Sequence, residues 1–122
     1  MEIPSDQQAK IDQLLDSRRN SRRVSEAKLI ANIKQWHHDR NLIEGSTDKD
    51  QFCKLMQEAG ELSDSICKGR CVADDIGDMM VVLINIAERN GLLISECLSK
   101  AWNDIKDRKG KMVDGIFIKE GD

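Results

Sequence analysis

Residues 54–62 read KLMQEAGEL and residues 74–79 read DDIGDM. Each stretch carries two acids three positions apart, Glu58 and Glu61 in the first, Asp75 and Asp78 in the second, and each is embedded in an apolar pattern of helical period. Residues three apart share a helix face. Two such helices side by side gather four carboxylates into a small volume, where like charges repel and burial demands counter-charge. A divalent cation answers both demands, and oxygen ligands of this kind suit Mg²⁺ or Mn²⁺.

The pattern extends outward from these stretches. Phe52, Leu55, Met56, Ala59, Leu62 and Ile66 recur at three and four and predict an amphipathic helix over 47–68, capped by Ser46 or Thr47 and stopped at Gly69. The next helix, over 72–90, is apolar on nearly every side, from Ile76 and Met79 to Ile86 and Ala87, which predicts full burial. Asn90-Gly91 ends it. Upstream, Val24, Ala27, Leu29, Ile30, Ile33 and Trp36 predict a helix over 24–40 with Ser25 at its cap, followed by a loop over 41–47 containing Gly45. Downstream, Ile94, Cys97, Leu98, Ala101, Trp102 and Ile105 predict a helix over 93–107, with Trp102 assigned to the core. Residues 1–22 form a polar N-terminal segment whose Ile11, Leu14 and Leu15 suit at most a short helix. Residues 108–122 read as a glycine-punctuated tail, closing a helical domain over 23–122. The resulting expectation is an all-α fold, a bundle of four main helices.

Composition agrees. The 122 residues include one proline, 34% charged and 39% hydrophobic positions, a soluble single-domain profile without a membrane span. Aromatics are only 3%, so the core rests on aliphatic side chains, and a thin core in a small domain leans on oligomerisation. A net charge of −3 argues against a dedicated nucleic-acid binder. Two basic knots stand out: Arg18, Arg19, Arg22 and Arg23, read as a solvated helix end, and Lys106, Arg108, Lys109 and Lys111. The thiols of Cys53, Cys67, Cys71 and Cys97 have no paired metal spacing and read as small buried side chains of a reducing cytoplasm. Adjacent His37 and His38 read as surface residues. Phosphate-binding glycine loops, nucleophile elbows and H-E-x-x-H motifs are absent from the sequence.

On residues alone the acidic pairs have two readings. The apolar stripe of the 47–68 helix centres on Leu55, Ala59 and Ile66, leaving Glu58 and Glu61 at its edge; Asp75 and Asp78 flank Ile76 and Met79. That geometry favours a shared metal site where the helices meet. The plain alternative is a solvated face, with Glu58 paired to Lys54 and with Asp74 and Asp75 as first-turn acids of a helix.

These two stretches, with DRNLIEGST over 39–47 and IKDRKGKM over 105–112, resemble the MazG-like nucleotide pyrophosphohydrolases of the all-α NTP pyrophosphatase superfamily, over roughly Trp36 to Glu120. The family motif is E-E-x-x-E followed by E-x-x-D. Gln57 stands where the first Glu of the doublet is usual, and Asp75 where a Glu is usual, with Asp74 available as a substitute ligand. The resemblance implies Glu58, Glu61, Asp75 and Asp78 as metal ligands and catalytic acids, and hydrolysis of NTP or dNTP to NMP and pyrophosphate with Mg²⁺ or Mn²⁺. It further implies Lys54, Lys106 and Arg108 as phosphate contacts, Trp36 and Asn41 beside the nucleoside, and a dimer or tetramer acting in the cytoplasm. A helical protein that binds nucleotide without turning it over is the alternative.

Overall fold

The computed structural model describes residues 5–121; the side chains of residues 19–23 lie outside that description, and with them most of the N-terminal arginine knot. The described chain is mainly helical: α1 (Ser5–Arg23), α2 (Glu26–Asp39), α3 (Asp48–Cys67), α4 (Ala73–Arg89) and α5 (Ile94–Ile105), then β1 (Gly110–Val113) and β2 (Ile116–Lys119). The chain divides into two compact units, the first ending at Gly91 and the second beginning at Leu92. None of the described helices is long and apolar enough to cross a membrane.

In the first unit the sequence-predicted boundaries hold closely. Ser25 caps α2 by accepting from the Lys28 amide at 3.1 Å. Thr47 opens α3 with a capping box: its hydroxyl accepts from the Asp50 amide and its own amide donates to the Asp50 carboxylate, each at 3.1 Å. At the other end Gly69 adopts φ 67°, and the Arg70 amide turns back to the Ser65 carbonyl at 2.8 Å, the left-handed closure that glycine makes cheap. The short loop over 68–72 then returns the chain so that α4 lies along α3, while α2 packs against α4 as well. The polar leading segment forms a full helix of 19 residues rather than a short one.

The core is small. Val82, Ile84 and Ala87 of α4 are buried, yet Ile76 is 50% exposed and Met80 and Leu83 are 38% and 39% exposed. The expectation that this helix is buried on every side is therefore corrected: α2 and α3 pack against it within the first unit, while Ile76, Met80 and Leu83 stay exposed. Phe52, Met56 and Ile66 extend the uncovered apolar surface onto α3. The cysteine expectation fails for the same shortage of cover, since Cys53, Cys67 and Cys97 are exposed and only Cys71 is partly covered.

His37 also departs from expectation. It is 3% exposed, and its Nε2–H donates to the Val81 carbonyl at 2.9 Å while Nδ1 accepts from Asn85 Nδ2 at 3.2 Å. Asn85 in turn donates to the Leu42 carbonyl at 2.9 Å, and Arg89 donates to the Ile43 carbonyl and to Asp48. These bonds seat the 41–47 loop on α4. His38, one residue on, points outward to Glu88 at 2.9 Å.

In the second unit, residues assigned to a tail form a hairpin, with Gly110 opposite Lys119 and Val113 opposite Ile116. Asp114 and Gly115 both take positive φ, 51° and 81°, the pairing that a two-residue hairpin turn requires. Gly110 is needed for space: a Cβ there would collide with the Ile118 carbonyl and come within 2.9 Å of Lys119 Cα. Trp102, expected in the core, is 60% exposed on α5, where only Ile94 of the apolar stripe is buried.

Candidate metal centre

Helix α3 presents Glu58 and Glu61 one turn apart, and α4 brings Asp78 against them. Each offers a carboxylate oxygen within 4.8 Å of the other two, the described residues' one grouping of potential metal ligands. Glu58 is buried at 7% exposure, Asp78 is half-buried and Glu61 lies exposed at the mouth. Three of the four sequence-predicted acids therefore converge. Asp75 lies outside the group, half-buried on the wall of an adjoining cleft that it shares with Glu61. Asp74, exposed in the first turn of α4, is also outside.

The electrostatics of the group are unfavourable as it stands. Lys54 is the nearest counter-charge, its Nζ 3.0 Å from Glu58 Oε1, and that contact raises the lysine's own pKa. Glu58 Oε2 is buried and meets no hydrogen-bond donor among the described residues. The facing Glu58 carboxyl pushes the Glu61 pKa up, since two carboxylates this close are relieved by a proton held between them. Burial, then the negative charges of Asp74, Glu58 and Asp75, push the Asp78 carboxyl up as well, against the smaller opposing effect of Lys54. A buried acceptor without a donor, beside two acids reluctant to ionise, is chemically matched to a hard cation with oxygen preference. Its ligands would be Glu58, Glu61 and Asp78.

Among the remaining sequence-predicted contacts, one pairs with the acids. Lys54 neutralises Glu58 and so faces the acids. Trp36 is 44% exposed; the Arg40 guanidinium covers one ring face at 4.2 Å, and His37 meets the ring edge-on at 5.3 Å. Asn41 takes φ 55° just past α2, its amide bonded to the His38 carbonyl at 3.1 Å. Lys106 and Arg108 follow α5 in the second unit, both exposed. Sequence reasoning passed over Arg70, the guanidinium on the cleft beside Glu61. It falls in the loop after α3, where no periodicity marks it.

An uncharacterised 18.2 kDa protein from the rep-hol intergenic region of Haemophilus phage HP1 is 48% identical over 64 residues, covering 51% of this chain. The match spans 39% of the length of that phage protein. No family model matches the chain. No solved structure matches it at a significant level.

Proposed function

We propose that this chain is a Mg²⁺-dependent nucleoside triphosphate pyrophosphohydrolase, converting an NTP or dNTP and water to an NMP and pyrophosphate. The observation that carries the reading is the convergence of Glu58, Glu61 and Asp78 around a buried carboxylate oxygen with no donor. The resemblance of the two acidic stretches to MazG-like enzymes supplies the reaction, and Mn²⁺ suits the same ligands. A divalent ion held there contributes charge for phosphate oxygens and acidity for water. The chain's own part is to hold Glu58 in place through Lys54 and to offer, at Glu61, the exposed carboxylate best placed to orient water toward the α-phosphorus and accept its proton. Cleavage there breaks the α–β anhydride, and pyrophosphate leaves with the bridging oxygen.

The uncovered apolar face of α3 and α4 supports association with further copies, as a dimer or tetramer, and a Mg²⁺–nucleotide substrate fits a cytoplasmic setting. Gln57 and the outlying Asp75 favour one second reading, a chain that binds the nucleotide without turnover. A panel of NTPs and dNTPs with Mg²⁺, scoring NMP and pyrophosphate together, decides between the two. Equal release of both products supports hydrolysis; Mg²⁺-dependent binding without release supports the second reading; neither result overturns both.

A further inference from the structure

Next to the acids lies an open cleft of about 490 Å³, walled by Gln57, Gly60, Glu61, Asp64, Arg70 and Asp75. Glu61 belongs both to this cleft and to the three-acid group, so a phosphate chain anchored at the group extends naturally into the cleft. Without Arg70 the charged groups on its walls would be Glu61, Asp64 and Asp75, all carboxylates. Such a wall repels the departing end of a triphosphate. We propose that Arg70 is the phosphate-contacting residue of this cleft, its guanidinium gripping the pyrophosphate portion of the substrate; this rests on the pyrophosphohydrolase reading above.

Three observations lead to Arg70. Lys54, the other cation beside the acids, is engaged by Glu58 at 3.0 Å. Lys68 holds Asp64 at 2.9 Å, whereas Arg70 Nη1 stands 3.6 Å from the same carboxylate, beyond hydrogen-bond reach. Asp64 is thus already hydrogen-bonded by Lys68, and the guanidinium, ion-paired with it only at the longer range, keeps its hydrogen-bond donors for another anion. The side chain starts from a fixed point, because the Arg70 amide is bonded to the carbonyl of buried Ser65 at 2.8 Å, while its head is 59% exposed toward solvent. A planar fork of donors also matches a phosphate bidentately, which a lysine cannot do.

Calorimetric titration of the full chain with pyrophosphate in the presence of Mg²⁺ tests this directly. Arg70→Ala is expected to weaken binding about tenfold or more, and Arg70→Lys by an intermediate factor, in keeping with charge-assisted bidentate contacts. Lys68→Ala is expected to change binding by less than about threefold, as befits an exposed i,i+4 pair. Mn²⁺ titrated alone is expected to bind Arg70→Ala as it binds the unaltered chain, because the main-chain closure at Ser65 survives the substitution. The assignment is overturned if Arg70→Ala binds pyrophosphate like the unaltered chain, if Lys68→Ala loses as much, if Mn²⁺ affinity falls equally, or if the unaltered chain binds no Mg²⁺–pyrophosphate. The two proposals fail separately. Arg70-dependent binding without product release from any triphosphate sinks the hydrolase reading alone, whereas full turnover with unchanged binding by Arg70→Ala sinks the Arg70 assignment alone.

Discussion

The two halves of α4 bury polar groups in opposite ways. Toward its C-terminus, Asn85 is fully buried, yet its amide donates to Leu42 and faces His37, and Arg89 and Asn90 both reach Asp48 at 2.9 and 3.2 Å. Those contacts are nearly complete and fix one loop in one place. Among the described residues there, only the buried Asn85 amide oxygen is left without a partner, a neutral group whose exclusion from water is a modest cost. Toward the N-terminus, Asp78 meets Glu58 and Glu61 with one lysine among them and a carboxylate oxygen left over. Surplus negative charge of that kind is expensive unless something absent from the polypeptide completes it. The difference separates a region whose buried polar groups the chain itself satisfies from one whose acids it leaves short of counter-charge.

The sharpest way to break the comparison is to neutralise the N-terminal acids. Glu61→Gln and Asp78→Asn are expected to lower Mg²⁺-dependent pyrophosphate release at least about a hundredfold, since altering merely the partners of metal ligands already costs about 10–100-fold. Because each removes a repelling charge, neither should lower the melting temperature of the metal-free protein. Full activity in both variants, measured by pyrophosphate release, would dissolve the distinction between the two halves.

The opposite outcome is expected at the other end. Asn85→Ala strands His37 Nδ1 and the Leu42 carbonyl and frees the loop they hold, costing about 2–3 kcal/mol in urea unfolding. The stabilisation that Mg²⁺ confers should persist in this variant, since the acids are untouched. Loss of Mg²⁺ response together with stability would show the two halves to be one coupled unit.

Acidity sharpens the contrast further. Glu61 and Asp78 both have raised pKa values, so the metal-free folded chain retains protons that the unfolded chain releases. Their stabilising contribution is present below the unfolded carboxylate range and is lost as pH rises through the folded values. The ionised, mutually repelling form of the two acids is the one that would bind a cation. Mg²⁺ at roughly ten times its dissociation constant should therefore add about 1.4 kcal/mol, and this increment should shrink as pH falls and protons compete with the ion for the raised acids. Asp48 and Asp64 have lowered pKa values and act with the opposite sign, their contribution lost as pH falls. Melting curves with and without Mg²⁺ at each pH isolate the acids, because the carboxylates that do not bind the ion enter both curves equally.

Much of this was legible in the residues. Three- and four-residue spacing located α2, α3, α4 and α5, and the cap residues Ser25 and Thr47 and the closing Gly69 function as read. Spacing also placed Glu58, Glu61 and Asp78 on facing edges. What spacing cannot convey is which neighbour covers which face. The outward-facing Ile76 and Leu83 and the inward-facing His37 depend on partners distant in sequence, as does Asp75, which keeps the correct interval and yet turns to the cleft. A stripe was present for His37, since Ile30, Ile33 and His37 share a face of α2, but adjacent histidines drew attention to their divergence rather than to the inward one. The hairpin carried its own signal in Asp114-Gly115, but its four-residue strands lie in a stretch that read as a glycine-punctuated tail.

The smallest expected effect concerns a glycine in the N-terminal half of α4. Gly77 lies in the helix with ordinary backbone angles, and a Cβ built on it meets nothing within 4 Å. Its lack of a side chain is therefore not required by packing within the chain, and its cost to helix formation is uncompensated there. Gly77→Ala should raise stability by about 0.5–1 kcal/mol in chemical denaturation. The empty space beside it adjoins exposed Ile76 and Met80, where association with another copy is proposed. If the substitution stabilises without changing mass by light scattering, the open side of α4 near Gly77 is not closely packed in the assembly. If it lowers the assembled mass, glycine is retained for close approach of a second chain, and the N-terminal half of α4 serves both the ligand site and the interface.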